Sequence, residues 1–492
     1  MLLAGRFLGL GINFAAQVFL VRYLTKADYG VWAYALSIVG FCHILAALGL
    51  DKVIDRFVPI YHANRQYDRM FGTILLSFGT ILATSTLIIA VFYLFPDFVF
   101  DWVRSDAASI LFVMLFVIPI DALDNVLIRL FACFASPKAI FFRKHLLGPA
   151  LKFAVVAVLM WMHGDLLFQA VGYLAASVIG IAVCCLILLR TMRQRGLLGT
   201  VTLSSIRVPS GEVSRFAVPL VITDAVDILI IYANVLVLGY FHNADQVAML
   251  KVVLPVATIN EIVYSTFSLL YAPGVARLHA NKDYAGIRDL YWRTTVWSAV
   301  LTFPVFALTF GVAGPLTVFL YGERYAGSGL IMAIVSLGYY FQVLLGLNAH
   351  TLRAFGRIRS IVKVNVITAV IAVILHMVLI PLYGAVGAAV ATAGSMIAQH
   401  ALRQVALHVA FGKRLFTRQY LRFYLVIGPA MAALVVVQLL GISSIYIAGL
   451  LAAAVSLWVL YLSREFLNIG QTFPEVFKLP LIQWCARMAR AR

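Results

Sequence analysis

YIAGLLAAAVSLWVLYL, Tyr446–Leu462, runs for seventeen residues with one serine and no charge. LIIAVFYLF at Leu87–Phe95 is apolar throughout. A strand of a membrane barrel alternates apolar and polar residues, so runs of this kind read as membrane-spanning helices. The rest of the chain agrees. Of 492 residues, 63% are apolar and 12% charged, whereas a soluble domain holds about 25% charged residues. One water-soluble core of ordinary size does not bury that much apolar surface.

Reading outward, apolar runs between polar or Pro/Gly breaks predict spans near 2–23, 30–54, 71–95, 108–130, 146–163, 166–189 and 215–240, then 247–271, 292–313, 328–350, 361–380, 384–409, 423–441 and 444–463. The expected fold is all-α: a polytopic membrane protein of about 14 transmembrane helices. With both termini on the cytoplasmic side, 32 of the 38 Lys and Arg residues fall inside, which supports that orientation. The net charge of +18 then reflects the positive-inside bias rather than a nucleic-acid partner. Leu2–Leu20 is too long for the core of a cleavable signal and reads as a first span. Five cysteines, with no metal-ligand spacing, imply neither a disulfide framework nor a metal site.

HANRQY at His62–Tyr67 recurs as HANKDY at His279–Tyr284, an offset of 217 that also pairs Tyr23 with Tyr240 and Ala27-Asp28 with Ala244-Asp245. Shared polar triplets in loops point to an internal duplication. Six spans per repeat leave both copies in the same orientation, so two parallel six-helix lobes plus a C-terminal helix pair are expected. The boundaries are an N-lobe at 1–195, a cytoplasmic linker at 196–214, a C-lobe at 215–410, a helix pair at 411–463 and an interfacial tail at 464–492.

Ionisable residues inside spans are costly and usually face a cavity or a partner. Arg6, Asn13 and Gln17 fall within about 40° on the first span, and Asp224, Asp227 and Asn234 within about 80° on the seventh. Asp121 and Asp124 share a face of the fourth, and Glu261 lies on the eighth. These faces are expected to line a hydrated cavity between the lobes, with pairing inside each lobe as the alternative. Asp51, Lys52, Asp55 and Arg56 fit the cavity or a snorkelling helix end equally well. Guanidinium groups at Arg6 and Arg56, with Lys251, suit an anionic cargo, while the acids suit protons or Na⁺. No phosphate-binding loop, catalytic triad or cofactor motif is present, so an enzyme is not expected. Pro219 and Pro255 would bend the spans beside these stripes.

The segment Arg22–Tyr61, RYLTKADYGVWAYALSIVGFCHILAALGLDKVIDRFVPIY, resembles the first hairpin of the polysaccharide transporter branch of the multidrug/oligosaccharidyl-lipid/polysaccharide exporter superfamily. YGERYAGSG at Tyr321–Gly329, LRAFGRIRSIVKVN at Leu352–Asn365 and PLYGAVGAAVATA at Pro381–Ala393 look like its later loops and twelfth helix. The resemblance implies a flippase that carries an undecaprenyl-pyrophosphate-linked oligosaccharide, of the O-antigen or exopolysaccharide kind, through a cationic cavity by alternating access. It also implies that Arg6 and Arg56 contact the pyrophosphate, that the last helix pair helps form a lipid groove, and that a polymerase or glycosyltransferase is a partner. Relatives usually carry a basic stretch ahead of the first helix, which this chain lacks. The runner-up is a cation-coupled multidrug exporter of the same superfamily, favoured by the acidic stripes. A polymerase would be expected to have a large outer loop, and the longest outer connections here are about a dozen residues.

Overall fold

The computed structural model describes residues 2–96, 105–134, 140–197, 206–411, 418–442 and 444–467, and among them all regular structure is helical. Among the described residues ten helices are long and apolar enough to cross a membrane, or eleven if one bent pair is a single span. The chain is thus a multi-pass membrane protein. Packing divides it into two compact units, Met1–Val252 with His376–Ala388, and Val253–Leu375 with Ala389–Arg492.

The first unit begins with α1 (Leu2–Tyr23) and α2 (Lys26–Ala47). Thr25 caps α2 by accepting the Asp28 N–H at 3.1 Å, which satisfies a donor with no partner inside the helix. The expected second span, 30–54, is interrupted: α2 stops at Leu48 and Gly49, both in the left-handed region with φ of 47° and 70°. A new helix, α3 (Leu50–Ala63), then carries Asp51, Lys52, Asp55 and Arg56. The uniformly apolar ILAALGL hides this break, since only the backbone at Leu48-Gly49 departs from helix.

Next come α4 (Tyr67–Leu94), α5 (Ser105–Met114), α6 (Val117–Cys133), a π-helical turn at Phe141–Leu147, α7 (Gly148–Trp161), α8 (Leu166–Gln194), α9 (Ser210–Phe241) and α10 (Ala244–Ala257). The α3, α4, α6 and α8 helices pack around Val53, Ile54, Leu127, Leu130 and Phe131, all buried. The fifth span starts earlier than the sequence suggests, because the π turn draws Arg143 out of the expected loop and into the bundle.

The second unit contains α11 (Asn260–Ala280), α12 (Tyr284–Phe306), a π turn at Ala307–Gly311, α13 (Ala313–Tyr321), α14 (Ser328–Leu344), α15 (Asn348–Ala354), both arms of α16 (Ile358–Phe411), α17 (Arg418–Leu439) and α18 (Ile445–Leu462). A break at Thr258-Ile259 bends α10 from α11 by 43°, where one continuous eighth span was expected. Pro255 offers the physical reason, since it removes one backbone donor from the preceding turn.

The two HAN triplets adopt one conformation. Asn64 has φ −84° and ψ 3°, Asn281 has φ −83° and ψ 2°, and the following Arg65 and Lys282 both have φ of 56°. In both copies the N–H two residues beyond the Asn closes onto the carbonyl of Tyr61 or Leu278, at 2.9 and 3.0 Å. The separate spans expected at 361–380 and 384–409 are likewise joined by a tight elbow. Gly384 sits at φ 57° and ψ −132°, a conformation suited to glycine. Within the first unit, Gln246 accepts the Ala385 N–H at 3.0 Å and His242 Nε2 donates to the Ile380 carbonyl at 2.8 Å, so both polar groups of the elbow are paired.

Candidate functional site

Most of the sequence-selected residues lie in the first unit, in three neighbourhoods. The first is a seam between α3 and α9. Lys52 is ion-paired with Asp224, the Arg56 guanidinium lies 4.4 Å from the centre of the Phe216 ring, and Tyr61 donates to Glu212 at 2.8 Å. These pairs follow the two helices in opposite directions, and Phe57 packs edge-on to Phe216 at 5.6 Å. Asp224 is therefore neutralised by Lys52. Arg56 is exposed, stacked on an aromatic face, and has no carboxylate within 4 Å among the described residues. Nearby, Arg129 holds Asp55 at 2.7 Å and Asp51 at 3.3 Å, so neither acid is available as a bare charge.

The second neighbourhood joins α1 to α10. Gln17 donates to the Tyr29 hydroxyl at 3.2 Å and to the Val252 carbonyl at 3.3 Å. That contact ties Gln17 to the backbone of the residue that follows Lys251. Lys251 is half-buried and has no acid within 4 Å among the described residues. Asn13 is exposed, whereas Arg6 is half-buried within electrostatic range of His145 on the π turn. Asn234 is buried on α9, where its side-chain oxygen accepts the Val235 N–H at 2.8 Å. The side chains of Asp227 and Pro219 lie outside the described residues.

The third neighbourhood is a buried charge cluster. Arg143 and Asp124 pair at 2.9 Å with side-chain exposures of 10% and 19%. Lys152 lies over Tyr173 at 4.9 Å, and Tyr173 packs edge-on against Trp32 at 5.4 Å. Asp121 stands in the electrostatic field of Lys152, His43 and Arg143, with no direct ion pair among the described residues. Sequence reading identified Asp121 and Asp124 but assigned Arg143 to a loop and left Lys152 without a role. No helical periodicity links residues on different helices, so the Arg143–Asp124 pair was outside its reach.

Glu261 belongs to the second unit, with Tyr264 and Tyr339 within its electrostatic range. It has no base within 4 Å among the described residues. In the same unit several buried polar groups pair through neutral bonds. Tyr271 and Thr351 share a hydrogen bond of 2.6 Å, and Asn260 donates to Thr309 at 3.0 Å. The Tyr291 hydroxyl lies 2.7 Å from the Leu345 carbonyl and 2.9 Å from Gln404 Oε1, sharing its proton between them.

These features define a multi-pass helical membrane protein with charged groups buried among its helices and, among the described residues, two bases, Arg56 and Lys251, with no acid within 4 Å. The chain belongs to the polysaccharide biosynthesis protein family, whose pattern matches residues 19–330. It is 21% identical over 409 residues to an uncharacterized membrane protein of Methanocaldococcus jannaschii, covering 78% of each chain. Its fold is shared with the lipid II flippase MurJ in an inward closed conformation, at a TM-score of 0.71 and 14% identity over 94% of this chain and 99% of that one. A multidrug resistance MATE family transporter of the MOP superfamily, in its inward-facing conformation, gives 0.65 and 11% identity over 81% and 94%. Family and fold agree: a member of the polysaccharide biosynthesis protein family has the fold of these transporters.

Proposed function

We propose that this protein is a flippase that moves an undecaprenyl-pyrophosphate-linked oligosaccharide from the inner to the outer leaflet of the plasma membrane for surface polysaccharide assembly. The observation that carries the reading is the charge balance of the first unit. Asp51, Asp55, Asp124 and Asp224 are each bound to a base, while Arg56 and Lys251 have no acid within 4 Å among the described residues. Such a distribution favours an anionic cargo. A guanidinium held on the Phe216 ring presents its remaining donors to phosphate oxygens, and an embedded lysine adds a point charge. Arg6 is assigned to the same headgroup. The two six-helix lobes expected from the duplication would alternate access to it while the polyprenyl tail stays in lipid.

Coupling to H⁺ or Na⁺ would reset the cycle. The Lys52 partnership moves the preferred coupling residue from Asp224 to Asp121, which has no direct ion pair among the described residues, with Glu261 as the corresponding acid of the second unit. The same Asp121 supports a second reading, a cation-coupled exporter of small molecules.

The test is leaflet-resolved quantification of lipid-linked oligosaccharides, using a headgroup probe in sealed, oriented vesicles from cells with and without the protein. The flippase reading expects headgroups to accumulate on the cytoplasmic face only when the protein is missing. An unchanged distribution, with dye resistance that depends on Asp121, would replace it with the exporter reading.

A further inference from the structure

The two HAN turns share a backbone but not their surroundings. Tyr61, Asp68 and Arg69 flank the first, and the offset of 217 replaces them with Leu278, Ala285 and Gly286 beside the second. These three polar residues of the first copy are the ones that meet the segment leading into α9. The Arg207 N–H donates to the Asp68 carbonyl at 3.3 Å, and the Arg207 guanidinium lies 3.7 Å from the Asp68 carboxylate. Glu212 accepts the Tyr61 hydroxyl at 2.8 Å and pairs with Arg69 at 3.6 Å. Residues 207–216 thus run antiparallel to α3 and the start of α4, crossing the first HAN turn before Phe216 reaches Phe57 and Arg56.

Gly72 provides the seat. It is buried on α4, and a Cβ there would overlap the Arg207 carbonyl oxygen and come within 3.1 Å of the Val208 Cα. Both are backbone atoms, so only a movement of the segment itself relieves the overlap. Side-chain exposure falls along the contact, from 78% at Arg207 and 57% at Glu212 to 13% at Asp224, the partner of Lys52. Exposed ion pairs contribute little and are screened by salt, whereas a shielded pair is screened much less. The outer part of the contact is therefore the part that separates first.

We infer that residues 207–216 form a strap that docks reversibly on the first HAN turn and holds the outer end of the α3–α9 seam closed. Docked, it keeps Phe216 against Arg56; released, it strips that guanidinium of its aromatic cover. The second HAN turn keeps the backbone without the anchors, so the strap is a property of the first copy alone. Its consequence for cargo, that release uncovers Arg56, rests on the flippase reading, whereas the docking itself does not.

The test is hydrogen–deuterium exchange of the full-length protein in lipid nanodiscs, without cargo, at low and high salt. Exchange across 207–216 is expected to rise about threefold between about 50 and about 500 mM salt, while α4 beyond Gly72 stays unchanged. D68N/E212Q removes both carboxylates at nearly constant shape and is expected to exchange at the high-salt rate under both conditions. G72A displaces the Arg207 carbonyl and is expected to speed exchange of the strap at least about tenfold. If G72A does not fold, D68N/E212Q alone decides. A salt-independent strap in wild type, a salt response that survives in D68N/E212Q, or a strap unmoved in a folded G72A overturns the inference. A rise that extends equally through α4 also overturns it, because it reports general loosening. Neither cargo nor transport enters the readout, so it stands or falls separately from the flippase reading.

Discussion

The two units solve the same problem, polar groups inside a membrane protein, by different chemistry. The first uses charge: Arg143 with Asp124, Lys52 with Asp224, and Arg129 with Asp51 and Asp55. The second relies mainly on neutral donors and acceptors: Tyr271 with Thr351, Asn260 with Thr309, and Tyr291 between Leu345 and Gln404. A buried ion pair becomes expensive once one partner is lost, whereas a neutral pair that loses a hydroxyl leaves only an unsatisfied acceptor. Removing one partner is therefore expected to cost more in the first unit than in the second.

Breaking the difference at its strongest point means removing one partner of the Arg143–Asp124 pair. D124A should destabilise the protein by about 3–5 kcal/mol, read as a lower midpoint of thermal unfolding in lipid nanodiscs. The double replacement D124L/R143M should recover most of that loss, because it leaves no buried charge uncompensated. Recovery would show that the cost lies in the orphaned charge rather than in altered packing.

The corresponding change in the second unit is Y291F, which deprives both Leu345 and Gln404 of a donor. It should cost about 1–3 kcal/mol in the same measurement, less than D124A. A larger loss for Y291F than for D124A would reverse the comparison. A loss similar to that of Y291F is expected at the elbow of α16. G384A should cost about 1–3 kcal/mol, because φ of 57° with ψ of −132° strains any residue with a Cβ. Q246A, which frees the Ala385 N–H, should cost about 1 kcal/mol. The smallest effect is expected at the exposed i,i+4 pair Arg293–Asp289, where R293A should change stability by about 0.5 kcal/mol or less.

Hydropathy made the helical architecture readable because a lipid solvent forces long apolar runs, and segments such as Tyr446–Leu462 have no other reading. The repeat was visible for a related reason: HAN in a turn is constrained by its backbone, and the two copies share their dihedral angles. The break at Leu48-Gly49 was not readable, since the flanking residues stay apolar while only the backbone changes course, whereas Pro255 signalled the bend after α10.

The candidate site was legible one helix at a time. Periodicity placed Gln17 on the same face as Arg6 and Asn13, yet it carried no information that Gln17 reaches Val252 on α10. Asp224 read as a cavity acid because Lys52, 172 positions away in sequence, gives no local signal of its approach. Arg143 looked like one more cytoplasmic base until the π turn carried it inward to Asp124.

The central claim is that Arg56 and Lys251 hold the anionic headgroup. Its most direct test is the initial rate at which the full-length protein, in sealed vesicles, moves a fluorescent polyprenyl-pyrophosphate saccharide between leaflets. R56A/K251A is predicted to lower that rate at least about tenfold while unfolding at the wild-type temperature. A wild-type rate in the double variant would contradict the account.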